Sequence, residues 1–369
     1  RWLDRTKYSD SVSTTVFVIN YESVWRGDMA RMVTGALRWG LVVCDEIHRI
    51  KSPSGRASRF VAKIPAARRV GLTGTLMPHS PMDAWAIYRF IDPSIFGWSF
   101  TRFKQEYAIP HPSIRGATVG FRNLDGLTRR IRCCTHKVDK DEVLDLPPVV
   151  HSDIPVRLSG QGLRIYKKME AELVVQIKGG TVTAGNALVK FLRLQQITSG
   201  FLPVERGDGS QKVTAVDSAK AAALREILED LGPDEPVVVF SRFVHDTKAV
   251  REIAATCGRQ SYELTGNENS LKDWQDSTGG DVLAVQIQSG GVGVDLTRAR
   301  YCVYFSMGLS LGDYLQSKAR LDRHGQTRNV EYFHLVGQDT IDQRVYRAMA
   351  KKADVIGEVL NGLNNGRAE

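Results

Sequence analysis

The stretch Leu41–Lys51, LVVCDEIHRIK, decides how the rest of the chain is read. Leu41, Val42 and Val43 are an apolar run of the length of one short buried strand in a parallel sheet. Two adjacent carboxylates, Asp45 and Glu46, follow at its carboxyl end, the edge where open α/β sheets place their ligands. Side-by-side acids repel unless a cation separates their duties. A phosphate-bound Mg²⁺ does this, with one carboxylate facing the metal and the other orienting or deprotonating a water. The plainer alternative is a strand that ends in a solvated acidic turn. Residues further along decide between the two.

Working outward, strands and helices alternate, the pattern of α/β domains. Val16–Ile19 and Val70–Leu72 read as further strands, and Ala84–Ile91 has helical spacing. Phe96, Trp98, Phe100, Phe103 and Tyr107 read as a packed subdomain in preference to a base-stacking platform. A loop at Ile109–Gly120 and a basic run (Arg129, Arg130, Arg132, His136, Lys137) lead to Pro147-Pro148, where two prolines stop any helix and mark a boundary. A strand at Ile154–Leu158 follows, then a helix that Ser159 can cap and a second helix at Ala187–Ile197. Glu205–Ser210 reads as a flexible surface loop. A fresh α/β unit then begins, with helices Ala219–Leu231, Asp246–Thr256, Leu311–Leu321 and Ile341 to about Leu360. Its strands are Pro236–Phe240, Ser261–Leu264, Val282–Ile287, Tyr301–Phe305 and Val330–Val336. The expected fold is therefore α/β, two lobes with parallel sheets. Residues 1–148 form the first lobe with a helical insertion at about 85–130, 149–215 a linker and second helical insertion, and 216–369 the second lobe with its last helix.

A chain of 369 residues that is 42% hydrophobic can build two such domains with real cores. Lys and Arg outnumber Asp and Glu by 50 to 41, and the net charge of +9 suits a polyanionic partner. Five scattered cysteines lack zinc-site spacing, which points to free thiols in a reducing compartment. With no apolar run of about 18 residues and no signal-peptide pattern, a soluble cytoplasmic protein is expected. No Gly-Lys dipeptide occurs, so these residues hold no GxxxxGK[ST] phosphate loop. The expectation is a fragment that opens at Arg1, or a relic of a nucleotide site.

Two later stretches carry chemistry. Gln288–Asp295 (QSGGVGVD) is a glycine-rich turn after an apolar strand, where backbone N–H groups can approach a phosphate. Gln316–Gln326 (QSKARLDRHGQ) sets Arg320 and Arg323 three apart, so the two are expected to share one helix face. Two guanidiniums so placed suit a triphosphate; the alternative is a solvated basic face.

Together, DEIH at 45–48, LTGT at 72–75, SGGVGVDLT at 289–297 and QSKARLDRHGQ at 316–326 resemble helicase motifs II, III, V and VI, in that order. They are similar to the DEAD/DEAH-box superfamily-two enzymes of the Swi/Snf type. RRIRCCTHKVDKDEVLDLPP at 129–148, FSRF at 240–243 and TIDQRVYRAMAKK at 340–352 extend the likeness. DEIHRIKSPSGRASRF with RFIDPSIFGWSFTRFKQEYA looks most like the phage branch. The resemblance implies two RecA-like lobes, the first of them incomplete here because motifs I and Ia are not found, with ATP between them and ATP-driven movement on DNA. Leu76 replaces a usual proline, Val294-Asp295 a Leu/Ile-Asn pair, and Ser306 an acid of eukaryotic relatives.

The resemblance also implies roles. Asp45 would hold Mg²⁺ through water, Glu46 would orient or deprotonate the attacking water, and His48 would couple that site to Gln316. Arg320 and Arg323 would reach the γ-phosphate, while Gly293 and Asp295 line the nucleotide. Thr73 and Thr75 would relay nucleotide state to DNA, and Asn20, Ser241, Arg242, Thr265, Gly266, Ser289 and Gly290 would contact it, mostly at phosphates and without reading sequence. The implied function is an ATP-dependent DNA translocase or helicase in a bacterium or phage-infected cell, with ATP and Mg²⁺ as cofactors and phage, repair or restriction proteins as further partners. The alternatives are a DNA-binding regulatory module without ATPase activity, and the motor portion of a restriction or repair complex.

Overall fold

The computed structural model describes residues 15–36, 38–114, 116–178, 184–205, 211–289 and 293–361. The chain divides into two compact units, Arg1–Met77 with Pro81–Cys133, and Pro78–Ser80 with Cys134–Glu369. Each is described by itself.

In the first unit, α1 (Gly27–Arg31) precedes β1 (Trp39–Cys44), α2 (Arg56–Val61) and β2 (Ala66–Gly71). β1 and β2 pair in parallel, with Val43 opposite Val70. The parallel pairing is as the sequence suggests; the full burial is not. Leu41 is 52% and Val43 50% exposed, because this sheet has two strands among the described residues and its packed side is the one Cys44 faces. The strand expected at Val16–Ile19 is a correction of the same kind. That segment joins no ladder among the described residues, and Val18 is 93% exposed. Gly71 ends β2 where the Ile47 side chain crosses it: an added Cβ would meet Ile47 Cδ1 at 2.4 Å.

α3 (Ala84–Ile91) and α4 (Phe100–Tyr107) follow, then a short hairpin of β3 (Ala108–Pro110) and β4 (Thr118–Phe121), and α5 (Leu124–Arg132). The hairpin replaces the loop expected at Ile109–Gly120. Most of α3 is buried. Four of the aromatics after it pack on one another, Phe96 against Phe103 at 4.9 Å and Phe103 against Tyr107 at 4.8 Å with Phe100 beside them, and form a core as expected; Trp98, expected among them, is 69% exposed.

The second unit opens with α6 (Lys140–Val143), β5 (Val149–Val156), α7 (Gly160–Lys178) and α8 (Ala184–Thr198). Ser159 caps α7 through its hydroxyl, which accepts from the Gly162 N–H. An antiparallel pair, β6 (Phe201–Glu205) and β7 (Gln211–Ala215), comes next; most of the loop expected at Glu205–Ser210 lies outside the described residues. Then come α9 (Ala219–Asp230), β8 (Val237–Ser241), α10 (Val244–Thr256), β9 (Ser261–Leu264), α11 (Leu271–Asp276) and β10 (Val282–Gln286). β11 (Tyr301–Tyr304), α12 (Leu311–Lys318), β12 (Val330–Gly337) and α13 (Ile341–Asn361) complete it.

Six strands form one parallel sheet in the order β5-β12-β11-β8-β10-β9. Strand period decides which side each residue serves. Val238, Phe240, Leu283 and Val285 enter one core, with Val345 and Met349 of α13. Val237, Val239, Val282 and Ala284 enter the other, with Leu224 of α9 and Val250 of α10. Because both faces are covered, β8 reads as the unbroken run VVVF.

Arg259, just before β9, ties this layering at one end. Its guanidinium donates to the carbonyls of Leu228, Leu231, Gly232, Glu235 and Gly280 at 2.8–3.0 Å. Replacing it strands several buried carbonyls at once. Arg259→Met is expected to destabilise the second unit by about 3 kcal/mol or more, measured as a lower urea midpoint at unchanged slope.

Candidate functional site

The DEIH and LTGT stretches meet in the first unit. β1 ends at Cys44, whose carbonyl accepts from Leu72 N–H, and Ile47 N–H donates back to Leu72. This exchange draws the turn after β2 over the acidic turn after β1. Thr73 Oγ1 donates to Glu46 Oε2 at 3.3 Å and accepts from Thr75 N–H at 3.0 Å. His48 Nδ1 lies 3.0 Å from Thr73 Oγ1 and 3.1 Å from Glu46 Oε2. Four of the residues singled out from sequence, Glu46, His48, Thr73 and Thr75, thus form one network.

Glu46 sits at φ 47°, ψ 52°, in the left-handed region that a glutamate seldom adopts. A single 3₁₀ turn, Ile47–Ile50, follows and buries Ile47 and Ile50 beneath it. That turn aims the Glu46 carboxylate at His48 and Thr73. Asp45 is exposed, with Oδ1 accepting from Glu46 N–H at 3.0 Å. The Tyr21 hydroxyl donates to the Asp45 carbonyl at 2.7 Å. Burial first, then Cys44 and Asp45 nearby, raises that hydroxyl's pKa and keeps it a donor.

An exposed, singly engaged carboxylate fits the water-mediated grip on Mg²⁺ that phosphate-bound magnesium needs. Among the described residues no group of three or more His, Cys, Asp or Glu could cage a metal ion. Asp45 is a residue that could hold a hydrated cation carried by phosphates.

In the second unit, three sequence-derived segments lie at the carboxyl ends of neighbouring strands: Ser241-Arg242 after β8, Thr265-Gly266 after β9, and Ser289 after β10. Their side chains differ in what they can do. Ser241 is buried and its hydroxyl donates to the carbonyls of Phe243 and Val285, so it packs inside the sheet and its hydroxyl is not offered to a ligand. Thr265 Oγ1 accepts from the N–H groups of Asn267 and Glu268, shaping a turn that leaves Gly266 exposed. Gly290 lies outside the described residues. Asn20, in the first unit, is exposed and its Oδ1 accepts from Ser23 N–H.

The arginine pair departs from its expected setting. α12 ends at Lys318 with Ala319 as its cap, so Arg320 and Arg323 stand in successive turns and not on one helix face. The physical reason is that the 310–326 segment bends back to pair with the glycine-rich turn. Leu296 N–H donates to the Arg320 carbonyl, and Arg323 Nη1 donates to the Val294 carbonyl at 3.4 Å. Gln316 precedes this bend, half-buried on α12. Gly293 takes φ 65°, a conformation suited to glycine. Asp295 Oδ1 accepts from both the N–H and the hydroxyl of Thr297. Burial alone would raise its pKa; those two bonds and the Arg323 charge outweigh burial and hold it below the usual carboxylate range.

Two supports were not among the site residues expected from sequence, although Gln326 closes the QSKARLDRHGQ stretch. Gln326 donates to the carbonyls of Thr297, Ala299 and Leu321 and accepts from the N–H groups of Thr327 and Arg328, clasping the two motif stretches together. Asp246, on α10, is fully buried and accepts from the hydroxyls of Ser306 and Ser199. Ser306 in turn accepts from Arg242 N–H at 2.8 Å, so Asp246 fixes the loop that carries Arg242. Where an acid was expected in place of Ser306, a serine is backed by one from the neighbouring helix.

Residues 5–199 match the SNF2-related domain, more than half of the chain, and residues 219–325 match the helicase conserved C-terminal domain. The chain belongs to the SNF2-related family. Protein p41 of Acyrthosiphon pisum secondary endosymbiont phage 1 is 28% identical over 360 residues, covering 92% of this chain and 75% of its own length. A protein of Mycoplasma pneumoniae named as an ATP-dependent helicase is 22% identical over 365 residues, covering 97% of this chain and 34% of its own length. This SNF2-related chain thus spans about a third of that relative. The SWI2/SNF2 ATPase core of Sulfolobus solfataricus in complex with dsDNA is similar with a TM-score of 0.46 and 23% identity, covering 92% of this chain and 72% of that one. No helix among the described residues is long and apolar enough to cross a membrane.

The Asp246 carboxyl is pushed up to about 7, chiefly by burial, against the Ser306 hydroxyl and the Lys220 charge, which lower it. A raised carboxylate pKa means the folded state keeps its proton where the unfolded chain has lost it. Its contribution to stability is whole below the ordinary carboxylate value and is lost as pH rises toward about 7. Urea unfolding at pH 5 and pH 8 is expected to show a loss of about 2–4 kcal/mol, and Asp246→Asn is expected to remove most of that difference.

Proposed function

We propose that this SNF2-related chain is the motor portion of an ATP-driven DNA translocase or helicase. The observation that carries the reading is the Glu46–His48–Thr73–Thr75 network. A carboxylate oriented by a histidine and a threonine, beside a second acid left open to a hydrated cation, is what water attack on a terminal phosphate requires. The threonine links that carboxylate to the backbone of the following turn, so a change in its partners moves the turn.

In this reading Asp45 holds Mg²⁺ through water and Glu46 orients and deprotonates the nucleophile. Arg320 and Arg323 neutralise charge on the γ-phosphoryl oxygens, with Arg323 the finger. Gln316, Gly293 and Asp295 border the nucleotide. ATP bound with Mg²⁺ supplies the leaving group and the counter-charge. DNA would be held at its phosphates by Arg242, Thr265, Gly266, Ser289 and Gly290, with Asn20, Thr73 and Thr75 on the first unit. Ser241 would act by holding the strand end in place.

The test joins this chain to the phosphate-loop segment of a SNF2 relative and measures phosphate release with and without DNA. DNA-stimulated turnover is expected. Glu46→Gln should abolish it while nucleotide binding persists, since the amide keeps the shape and cannot take a proton. Arg323→Ala should slow it by about 10³ or more. DNA binding without any turnover would overturn the motor reading in favour of a binding module.

A separate expectation concerns the partner. Binding of the chain to DNA of different sequences should be of similar strength and should weaken steeply between 50 and 200 mM salt, on the order of 10³-fold for about six phosphate contacts. An affinity indifferent to salt, read by fluorescence anisotropy, would contradict it.

A further inference from the structure

Arginines that play no part in either motif cluster gather on the helical insertion of the first unit. Residues 100–133 hold seven Lys or Arg against two acids, Glu106 and Asp125, so they carry +5 of the chain's +9. The excess is not spread evenly. Two open hollows, of about 530 and 440 Å³, lie side by side there and share one wall of Glu106, Arg130 and Cys133. The first runs from the turn at Ser94–Gly97 along α4 and takes in Arg102; the second follows α5 from Asn123 to Arg129.

The charges in these hollows are available. Arg102 and Arg129 are exposed, and among the described residues neither has a carboxylate within 4.0 Å. Arg130 reaches Glu106 at 3.3 Å, but both are about half exposed, and a pair of that kind contributes little and yields to a stronger anion. Next to Gly97 in the first hollow's wall stands Trp98, 69% exposed. Its neighbours Phe96, Phe100 and Phe103 are packed ring against ring. Trp98 is the large aromatic of this cluster left to the solvent.

We propose that this surface binds single-stranded nucleic acid, with Arg102, Arg129 and Arg130 taking successive phosphates and Trp98 stacking on a base. The inference rests on the reading that the chain binds nucleic acid, and it adds a surface remote in sequence from the strand-end loops of the second unit. A row of planar guanidiniums suits phosphates. An acidic peptide would be met by the same charges, but it offers no flat apolar face to a solvent-exposed indole. A duplex keeps its bases stacked inside, whereas an unpaired strand presents them. Basic groove and aromatic platform together are the pattern of single-strand binding.

The experiment follows labelled oligothymidylate binding to the whole chain by anisotropy across a salt series. Trp98→Ala is expected to weaken binding about tenfold and to leave duplex affinity unchanged. Arg102→Ala with Arg129→Ala is expected to reduce the slope of log affinity against log salt by about 1.4, roughly 0.7 for each phosphate contact on a single strand. Because α5 substitutions can disturb packing, a second measurement leaves the arginines in place. In a Cys134→Ser chain, oligothymidylate should slow maleimide modification of Cys133 severalfold, read by peptide mass spectrometry. Unchanged affinity, slope and Cys133 reactivity, in a chain that still binds duplex, would overturn this surface and leave the proposed function standing. Failure of the chain to bind any nucleic acid would overturn both. Displacement of oligothymidylate by polyglutamate, with the same dependence on Arg102 and Arg129 and none on Trp98, would assign the surface to an acidic protein instead.

Discussion

Everything in the second unit hangs on β8 being buried on both faces. A strand covered on one side could alternate apolar and polar residues; Val237–Phe240 cannot, and each residue is fully buried. The two cores then hold β10 and β11 against it in parallel register, and the register fixes where each strand stops. Because neighbouring strands stop together, the loops after β8, β9 and β10 open on one edge. The chemistry of this unit is therefore positioned by the length of apolar runs before any polar contact forms.

Polar contacts refine that frame at two places. Gln326 holds the glycine-rich turn to the bend after α12 with its amide fully used. Lys220, on α9, is buried against Asp342 of α13 at 2.6 Å and donates to the Phe305 carbonyl. A buried lysine of that sort is tolerated because its partners are fixed by the helices on either side. Both contacts bind elements far apart in sequence, so a local pattern can hold the residue, as it does Gln326, without showing its partners.

Much of this was legible from residue order. The strands and helices from α9 onward lie within a few residues of where periodicity puts them, α11 excepted, because long apolar runs between turn residues admit one reading. The acids, the LTGT turn and the motif arginines were legible as types. What misled was context. Val16–Ile19 is an apolar run like a buried strand but finds no partner among the described residues, and a ladder needs two. The β6–β7 and β3–β4 hairpins have strands of three to five residues without sustained alternation, so nothing marked them. Helical spacing continued past Lys318, yet segment 319–323 turns away so that the Arg320 carbonyl accepts from Leu296 N–H and the Arg323 side chain donates to the Val294 carbonyl, a tertiary preference that propensity cannot register. Asp246 could be found by one signal only, an acid placed one turn into a helix that packs under a polar strand end.

Glu46 illustrates how a fold and its task can pull apart. Its left-handed backbone costs on the order of 1 kcal/mol or more for a residue with a side chain, and glycine or asparagine would relieve it. The residue most comfortable at this position is thus one without the carboxylate that His48 and Thr73 orient. On the proposed role of Glu46, glycine or asparagine at this position would give a more stable fold that has lost the carboxylate. Drift toward an easier fold would, at this one backbone angle, also undo the Glu46–His48–Thr73 network.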